Sequence, residues 1–358
     1  MRGAEADINL DALVHNLKKV RTFVGNRKIL AVIKSDGYGH GAVRVARTLI
    51  EADGFGVASL NEAVNLRLAG VTQPILIMSQ FAHSKDLKVI ADFNLSIVVH
   101  HENQLRWLEQ NPCTNAIQVW LKIDSGMHRL GFRVGEIHSV WQRLKAISWI
   151  DQPVCLMTHL ACADECNDQI TLKQVETFTN SVADLPGERS ISNSAGILHY
   201  PQIQQDWVRP GLILYGVSPF ANQVGFDFGL KPAMTLRSCL ISVKQAKAGD
   251  LLGYGGCFVC PENMPIGVAE IGYGDGYPRS AESGTPVLVN GALCAVAGRV
   301  SMDLLTIDLR SNPQAKVGDP VTLWGEGLPI EQVSKFASTI PWELLCHMGE
   351  RVRFREIQ

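Results

Sequence analysis

Short apolar runs alternate with longer amphipathic stretches through the first two-thirds of the chain. ILAVIK at 29–34 reads as a strand, and 42–51 follows it with helical spacing. The pairing recurs with FGVAS at 55–59 before 60–69, ILIMS at 75–79 before 85–91, and LSIVV at 95–99 before HENQLRWLEQ. IQVWLKID at 117–124 precedes 135–146, and VCLMTHL at 154–160 precedes 169–183. SISNS at 190–194 and GLILYG at 211–216 complete eight strand candidates. Runs that are apolar at nearly every position are buried on both faces, as in a parallel sheet covered by helices. Eight such units fit an α/β barrel, (β/α)8, better than an open doubly wound sheet. LDALVHNLKKV at 10–20 predicts an extra helix before the first barrel strand, with Asp11 as its cap and Leu13, Leu17 and Val20 on one face.

The texture changes after Lys231. Short strands now alternate with glycine and proline: LRSCLISV, IGVAEIGY, TPVLVNG, LCAVAGRV, LLTIDL and DPVTLWG. Asn290–Gly291 between two apolar runs reads as a two-residue hairpin turn. Helix returns only near 330–347. The pattern predicts a (β/α)8 domain over 8–230 and a mainly antiparallel β domain over 231–358, joined by the first few residues.

Composition narrows the class of function. Apolar residues make up 46% of the 358 and charged residues 19%, enough to build large cores and too apolar for a disordered chain. The formal charge of −2 offers no bulk attraction to nucleic acid or to an anionic membrane, so neither is expected as a partner. No run approaches a membrane span, and MRGAEADINL has no apolar signal core, so a cytoplasmic protein is expected. Nine cysteines, an odd number with no dense spacing, read as free buried thiols in a reducing compartment. His159, Cys162 and Cys166, with Cys257 and Cys260, imitate metal-ligand spacing. The two groups lie in different domains and CFVC reads as a strand, so no metal is expected.

In a barrel, chemistry gathers where strands end. The polar residues there are Lys34, Lys122, His159 and Ser194, with Arg209 just before the eighth run. Lys34 opens KSDGYGHG, where Gly37, Gly39 and Gly41 relax the backbone and leave amides for an anion, and Tyr38 can return a hydroxyl to the same pocket. A lysine beside an anion site suits a carbonyl cofactor bearing phosphate. Ser194 and the amides of Gly211 and Leu212 are the phosphate candidates. No GxGxxG follows the first strand and no Walker loop is present, which argues against a dinucleotide or a nucleoside triphosphate.

These segments resemble the bacterial alanine racemases. The resemblance rests on AVIKSDGYGHG at 31–41, LKIDSGMHRLG at 121–131, THLACADE at 158–165, SNSAG at 192–196 and VRPGLILYGVSP at 208–219. In the C-terminal part it rests on GYGG at 253–256, EIGYGDGYPR at 270–279 and GRVSMD at 298–303. It runs nearly end to end. It implies pyridoxal 5'-phosphate bound to Lys34 as a Schiff base, and Tyr254 as a second acid/base from the other subunit of a homodimer with shared sites. Arg209 would face the pyridine nitrogen beside His159. Tyr38, Asn193, Ser194, Gly211 and Leu212 would hold the phosphate end. Arg129 and the Met302 amide would hold the substrate carboxylate, Tyr273 would line the entrance, and Lys122 would be carbamylated and orient Arg129, or else remain an unmodified lysine paired with Asp124. The family's C-terminal tyrosine is replaced by Trp342, whose indole donates but cannot accept. Asp36 and Gly37 stand where many members carry a small residue and alanine.

The residue types suit inversion at Cα. Two acid/base groups on opposite faces are needed. Unperturbed values of ~10.4 for lysine and ~10 for tyrosine are too high for neutral pH, so the surroundings must tune both. Arginine at the pyridine nitrogen cannot give up its proton, which leaves that nitrogen an acceptor and disfavours transamination. A decarboxylase on the same barrel calls for an acidic partner there. A racemase preferring serine, or a broader range of amino acids, is the nearer alternative.

Overall fold

The computed structural model describes residues 3–79, 81–165 and 168–358. Its contacts divide the chain into two compact units, residues 17–214 and residues up to 16 with 215–358. The division falls earlier than the 230/231 border read from the sequence. Segment 215–230 is tied to its own unit by Ala233 N–H donating to the Tyr215 carbonyl at 3.0 Å, and by the Ser218 and Gly225 amides, which both donate to Glu331 Oε1.

Eight parallel strands close a ring in the first unit: Lys28–Val32, Gly54–Val57, Ile75–Ile77, Ser96–Val99, Ile117–Asp124, Ile150–Met157, Arg189–Ser190 and Trp207–Val208. Seven of the eight predicted strands are present. The eighth is not GLILYG. Leu212–Tyr215 is a 3-10 turn, and Trp207–Val208 closes the ring against both Ser190 and Lys28. Pro210 has no N–H to extend a ladder, which ends the strand. Leu30, Leu76, Val98, Trp120, Cys155, Met157 and Trp207 fill the barrel interior. The preceding helix is Leu10–Val24; Asn9 Oδ1, not Asp11, accepts from the Ala12 amide at 2.8 Å and caps it.

The second unit is a closed ring of six strands: Met234–Ala246, Met264–Ala269, Leu305–Asp308, Ala292–Val296, Pro286–Val289 and Pro320–Trp324. All six pair antiparallel. Glu5–Asn9 adds antiparallel to the first of them and carries Arg353–Ile357 parallel on its other side. Asn290 and Gly291 take φ of 49° and 81°, the two left-handed positions of a type I′ hairpin. Among the described residues, no helix is long and apolar enough to cross a membrane. Cys155, Cys260 and Cys294 are buried free thiols, but Cys257 and Cys346 are exposed, which corrects the expectation of uniformly buried cysteines.

Candidate active site

Strand alternation places the candidate residues of the barrel. Side chains two apart share a face. Trp120, Val98, Met157 and Trp207 fill the interior, so Lys122, His100, His159 and Arg209 continue the same inward series at the C-terminal mouth. Arg209 therefore follows the eighth strand instead of preceding it. It is 2% exposed. Its guanidinium donates to the Thr158 carbonyl at 2.6 Å, the Ile191 carbonyl at 3.0 Å and the Ser190 hydroxyl. No carboxylate among the described residues pairs with it, and its Nε is buried with no hydrogen-bond partner. Burial lowers its pKa to about 10, which still leaves it charged at neutral pH.

The other cations crowd the same mouth. Burial, then Arg209, Lys122, Arg129 and Lys34, hold His159 well below the ordinary histidine range, so its ring is neutral at pH 7. Gln174, itself buried, donates to the His159 carbonyl at 2.7 Å and accepts from the Ala161 amide at 3.0 Å, fixing that loop. Lys122 is buried, and no described residue makes a hydrogen bond or ion pair with its amine. Burial and three neighbouring cations push it down to about 8 against the opposing pull of Asp124.

Lys34 stands exposed at the start of an unusual turn. Ser35, Asp36, Gly37 and Tyr38 all take φ between 51° and 64°, one turn of left-handed helix. Left-handed backbone costs roughly 1–2 kcal/mol for each non-glycine residue, so the turn must be held from outside. Glu62 accepts from the Ser35 amide at 2.7 Å, and Asp36 Oδ1 accepts from the Ala42 amide at 2.7 Å. The Gly37 and Gly41 amides donate to the Ile33 and Asp36 carbonyls. These two amides are spent inside the turn and are not open to an anion.

The turn instead delivers Tyr38 to the phosphate candidates. A Cβ on Gly211 would stand 2.5 Å from the Tyr38 hydroxyl oxygen. The Gly211 amide donates to Ser194 Oγ at 2.9 Å. Leu212 opens the 3-10 turn, so its amide has no acceptor within it. Asn193 caps Ser194–His199 by accepting from the Gly196 amide at 2.9 Å, so it shapes this corner through the backbone. Gly211→Ala is expected to destabilise the protein by about 1–3 kcal/mol through this overpacking, read as a lower urea midpoint. An unchanged midpoint would show that Tyr38 yields without cost.

The remaining candidates lie in the second unit. Tyr254 is 68% exposed on a 3-10 turn, Tyr254–Gly256, flanked by Gly253 at φ 71°. Gly253 packs close to the Arg299 backbone, and the Gly274 amide donates to the Met302 carbonyl at 2.8 Å. The loops around 254, 273 and 302 therefore meet, each with an exposed large side chain. Arg351 ties two of them by donating to the Gly274 carbonyl and pairing with Asp303 at 2.9 Å. Trp342 is half-buried on the helix Pro341–Cys346. Arg129 is exposed and ion-pairs with no described residue. Among the described residues no cluster of three His, Cys, Asp or Glu could hold a metal; Cys166 lies outside them. Sequence reasoning missed His100, Ser190, Thr158 and Gln174. The inward period-2 series marks His100, while the others act by holding Arg209 or the His159 loop.

A (β/α)8 ring with a lysine-bearing, cation-rich mouth, followed by a closed antiparallel β domain, defines a two-domain barrel enzyme. Residues 8–219 match the model of the alanine racemase N-terminal domain, and residues 233–356 that of the alanine racemase C-terminal domain. The alanine racemase of Coxiella burnetii (strain RSA 493 / Nine Mile phase I) is 48% identical over 363 residues, covering all of both chains. The biosynthetic alanine racemase of Pseudomonas aeruginosa superposes with a TM-score of 0.97 at 39% identity, again over all of both chains. That of Acinetobacter baumannii gives 0.93 at 36% identity, with the same coverage. The chain belongs to the alanine racemase family and is an isomerase.

Proposed function

We propose that the protein interconverts L-alanine and D-alanine with pyridoxal 5'-phosphate, as a homodimer with shared sites, either supplying D-alanine for peptidoglycan or catabolising it. The observation that carries this reading is Arg209: buried, fully charged, free of any described carboxylate, with an unpaired Nε. That donor fits an aromatic nitrogen kept as an acceptor, and it disfavours the acidic partner a decarboxylase would use. When bound, the cofactor supplies an aldehyde for amines and a conjugated ring that spreads the charge left on Cα.

The chain's own groups then divide the work. Lys34 would hold the cofactor through Nζ, and its amine would move a proton on one face of the substrate Cα. Tyr254 of the partner subunit moves a proton on the other. Tyr38, Ser194 and the amides of Gly211 and Leu212 bind the phosphate; Trp342 stands in the family's tyrosine position. His159, held neutral, packs beside the ring without adding charge. Arg129 offers the planar fork that a carboxylate fits, and the Met302 amide gives a second donor. Tyr273 narrows the entrance, which favours a small side chain. Lys122 is carbamylated: a buried amine pushed down to about 8 among three cations gains by becoming an anion.

Mixing inactive Lys34→Ala and Tyr254→Phe subunits tests the shared site. Each hybrid dimer then keeps one intact site of two, so racemisation returns on subunit exchange. No recovery after confirmed exchange would place Tyr254 in its own subunit's site or outside the chemistry.

A further inference from the structure

His100 directly follows the strand Ser96–Val99 and is 8% exposed. Val98 pairs with Trp120, and Val99 with Leu121, across adjacent parallel strands. Continuing that register sets His100 beside Lys122 on the inner face. The backbone there is locked: the His100 amide donates to Gln104 Oε1 at 2.9 Å, and Gln104 Nε2 donates back to the Val98 carbonyl at 3.3 Å. The ring's Nε2 is buried, and no described residue hydrogen-bonds to it. A buried polar nitrogen left this way is costly unless something at the site pairs with it. His100 and Arg129 also line one cavity of about 410 Å³, together with Phe81 and Trp107. Burial lowers the ring's pKa, a hydrogen bond from the ring to the Ser79 carbonyl opposes this, and the nearby Lys122 ammonium lowers it further. With Nε2 unpartnered, that bond belongs to Nδ1–H, so Nε2 becomes a donor when the ring takes up a proton beside an anion.

We propose that His100, as an imidazolium paired with the anion, is a positioning residue for carbamylated Lys122, donating through Nε2 to one carbamate oxygen while Arg129 holds the other. The inference rests on the carbamylation of Lys122 given under the proposed function. In that step the neutral Nζ attacks the carbon of carbon dioxide and an N–C bond forms. One C=O electron pair moves onto oxygen, and a proton leaves Nζ for solvent. The anion then sits among Arg129, Arg209 and Lys34, and two directed donors fix its plane. Arg129 is thereby set in the orientation that receives the substrate carboxylate. His100 touches neither substrate nor cofactor.

The test is carbon-13 NMR of the holoenzyme titrated with labelled bicarbonate, with Lys122→Ala assigning the carbamate resonance. Glutamine can place an N–H near the position of Nε2, whereas asparagine and leucine cannot. Wild type and His100→Gln are expected to fill at similar bicarbonate. His100→Leu and His100→Asn are expected to need about 10- to 100-fold more, the equivalent of one charged hydrogen bond. The KM for alanine should rise in the last two and fall back at high bicarbonate, while borohydride labelling at Lys34 stays normal. A wild-type spectrum without the Lys122 resonance overturns the carbamylation reading, and this inference with it. A resonance that fills equally in all variants overturns the role of His100 alone. If His100→Leu does not fold, the contrast between His100→Gln and His100→Asn decides.

Discussion

Lys34→Ala is expected to abolish racemisation, and the loss should be visible without an assay. Borohydride treatment of the wild-type holoenzyme should add the cofactor's mass to the peptide that contains residue 34. The variant should show no such adduct. The chain offers a second lysine at the barrel mouth, Lys122, whose buried amine is pushed down to about 8. Labelling at Lys122 would overturn the assignment of Lys34. Loss of a base acting on Cα costs roughly 10²–10⁴-fold, and loss of the covalent tether comes on top of it. An external primary amine is expected to restore part of the activity, since what the variant lacks is an amine at a prepared position. Restoration should saturate with amine size, because the left-handed turn that carries residue 34 stays pinned by Glu62 and Asp36.

Tyr254→Phe removes an ionisable oxygen and keeps the ring. Tyr254 is exposed in the single chain, so the substitution is expected to leave the fold's stability within about 0.5 kcal/mol. Racemisation should fall by roughly 10²–10⁴-fold, one proton transfer having lost its group. In heavy water the variant should still exchange the Cα proton of the enantiomer served by Lys34, which the family resemblance makes D-alanine. It should fail to exchange that of L-alanine. Equal exchange from both enantiomers would refute the two-base reading and favour one mobile base. Loss of cofactor binding would point to a structural role for Tyr254.

Most of the barrel was legible because its signal is local. A strand buried on both faces announces itself in four or five consecutive residues, and a crossover helix in its 3.6-residue spacing. The short eighth strand broke this. Two-residue strands such as Trp207–Val208 carry no run to read, and GLILYG, the most apolar stretch nearby, drew the assignment past Arg209 and Pro210. The cap of the first helix was misread for a similar reason. Asn9 and Asp11 are both good capping types, and only the geometry at the end of Glu5–Asn9 selects between them. The turn after Lys34 was legible as special but not as left-handed. Serine, aspartate and tyrosine carry no local preference strong enough to announce that conformation, and its supports come from Glu62 and Ala42.

By itself the chain determined which residue types stand where strands end: a lysine at 34, a lysine at 122 and a histidine at 159; that Arg209 ends a strand came only with the structure. The chain also showed a change of pattern near 231, although the compact units divide earlier, between 214 and 215. The tertiary structure decided what these residues are to one another. Closing the ring sets strands adjacent that lie far apart in sequence, and register then decides that His100 stands beside Lys122. It also decides that Arg209 reaches the carbonyls of Thr158 and Ile191 instead of a carboxylate. Burial, which no local pattern specifies, lowers the proton affinity of Lys122 and His159 by removing water and gathering like charges. Alternation and propensity act over a few residues. Desolvation and charge coupling depend on distance in space, so they exist only once the ring is closed.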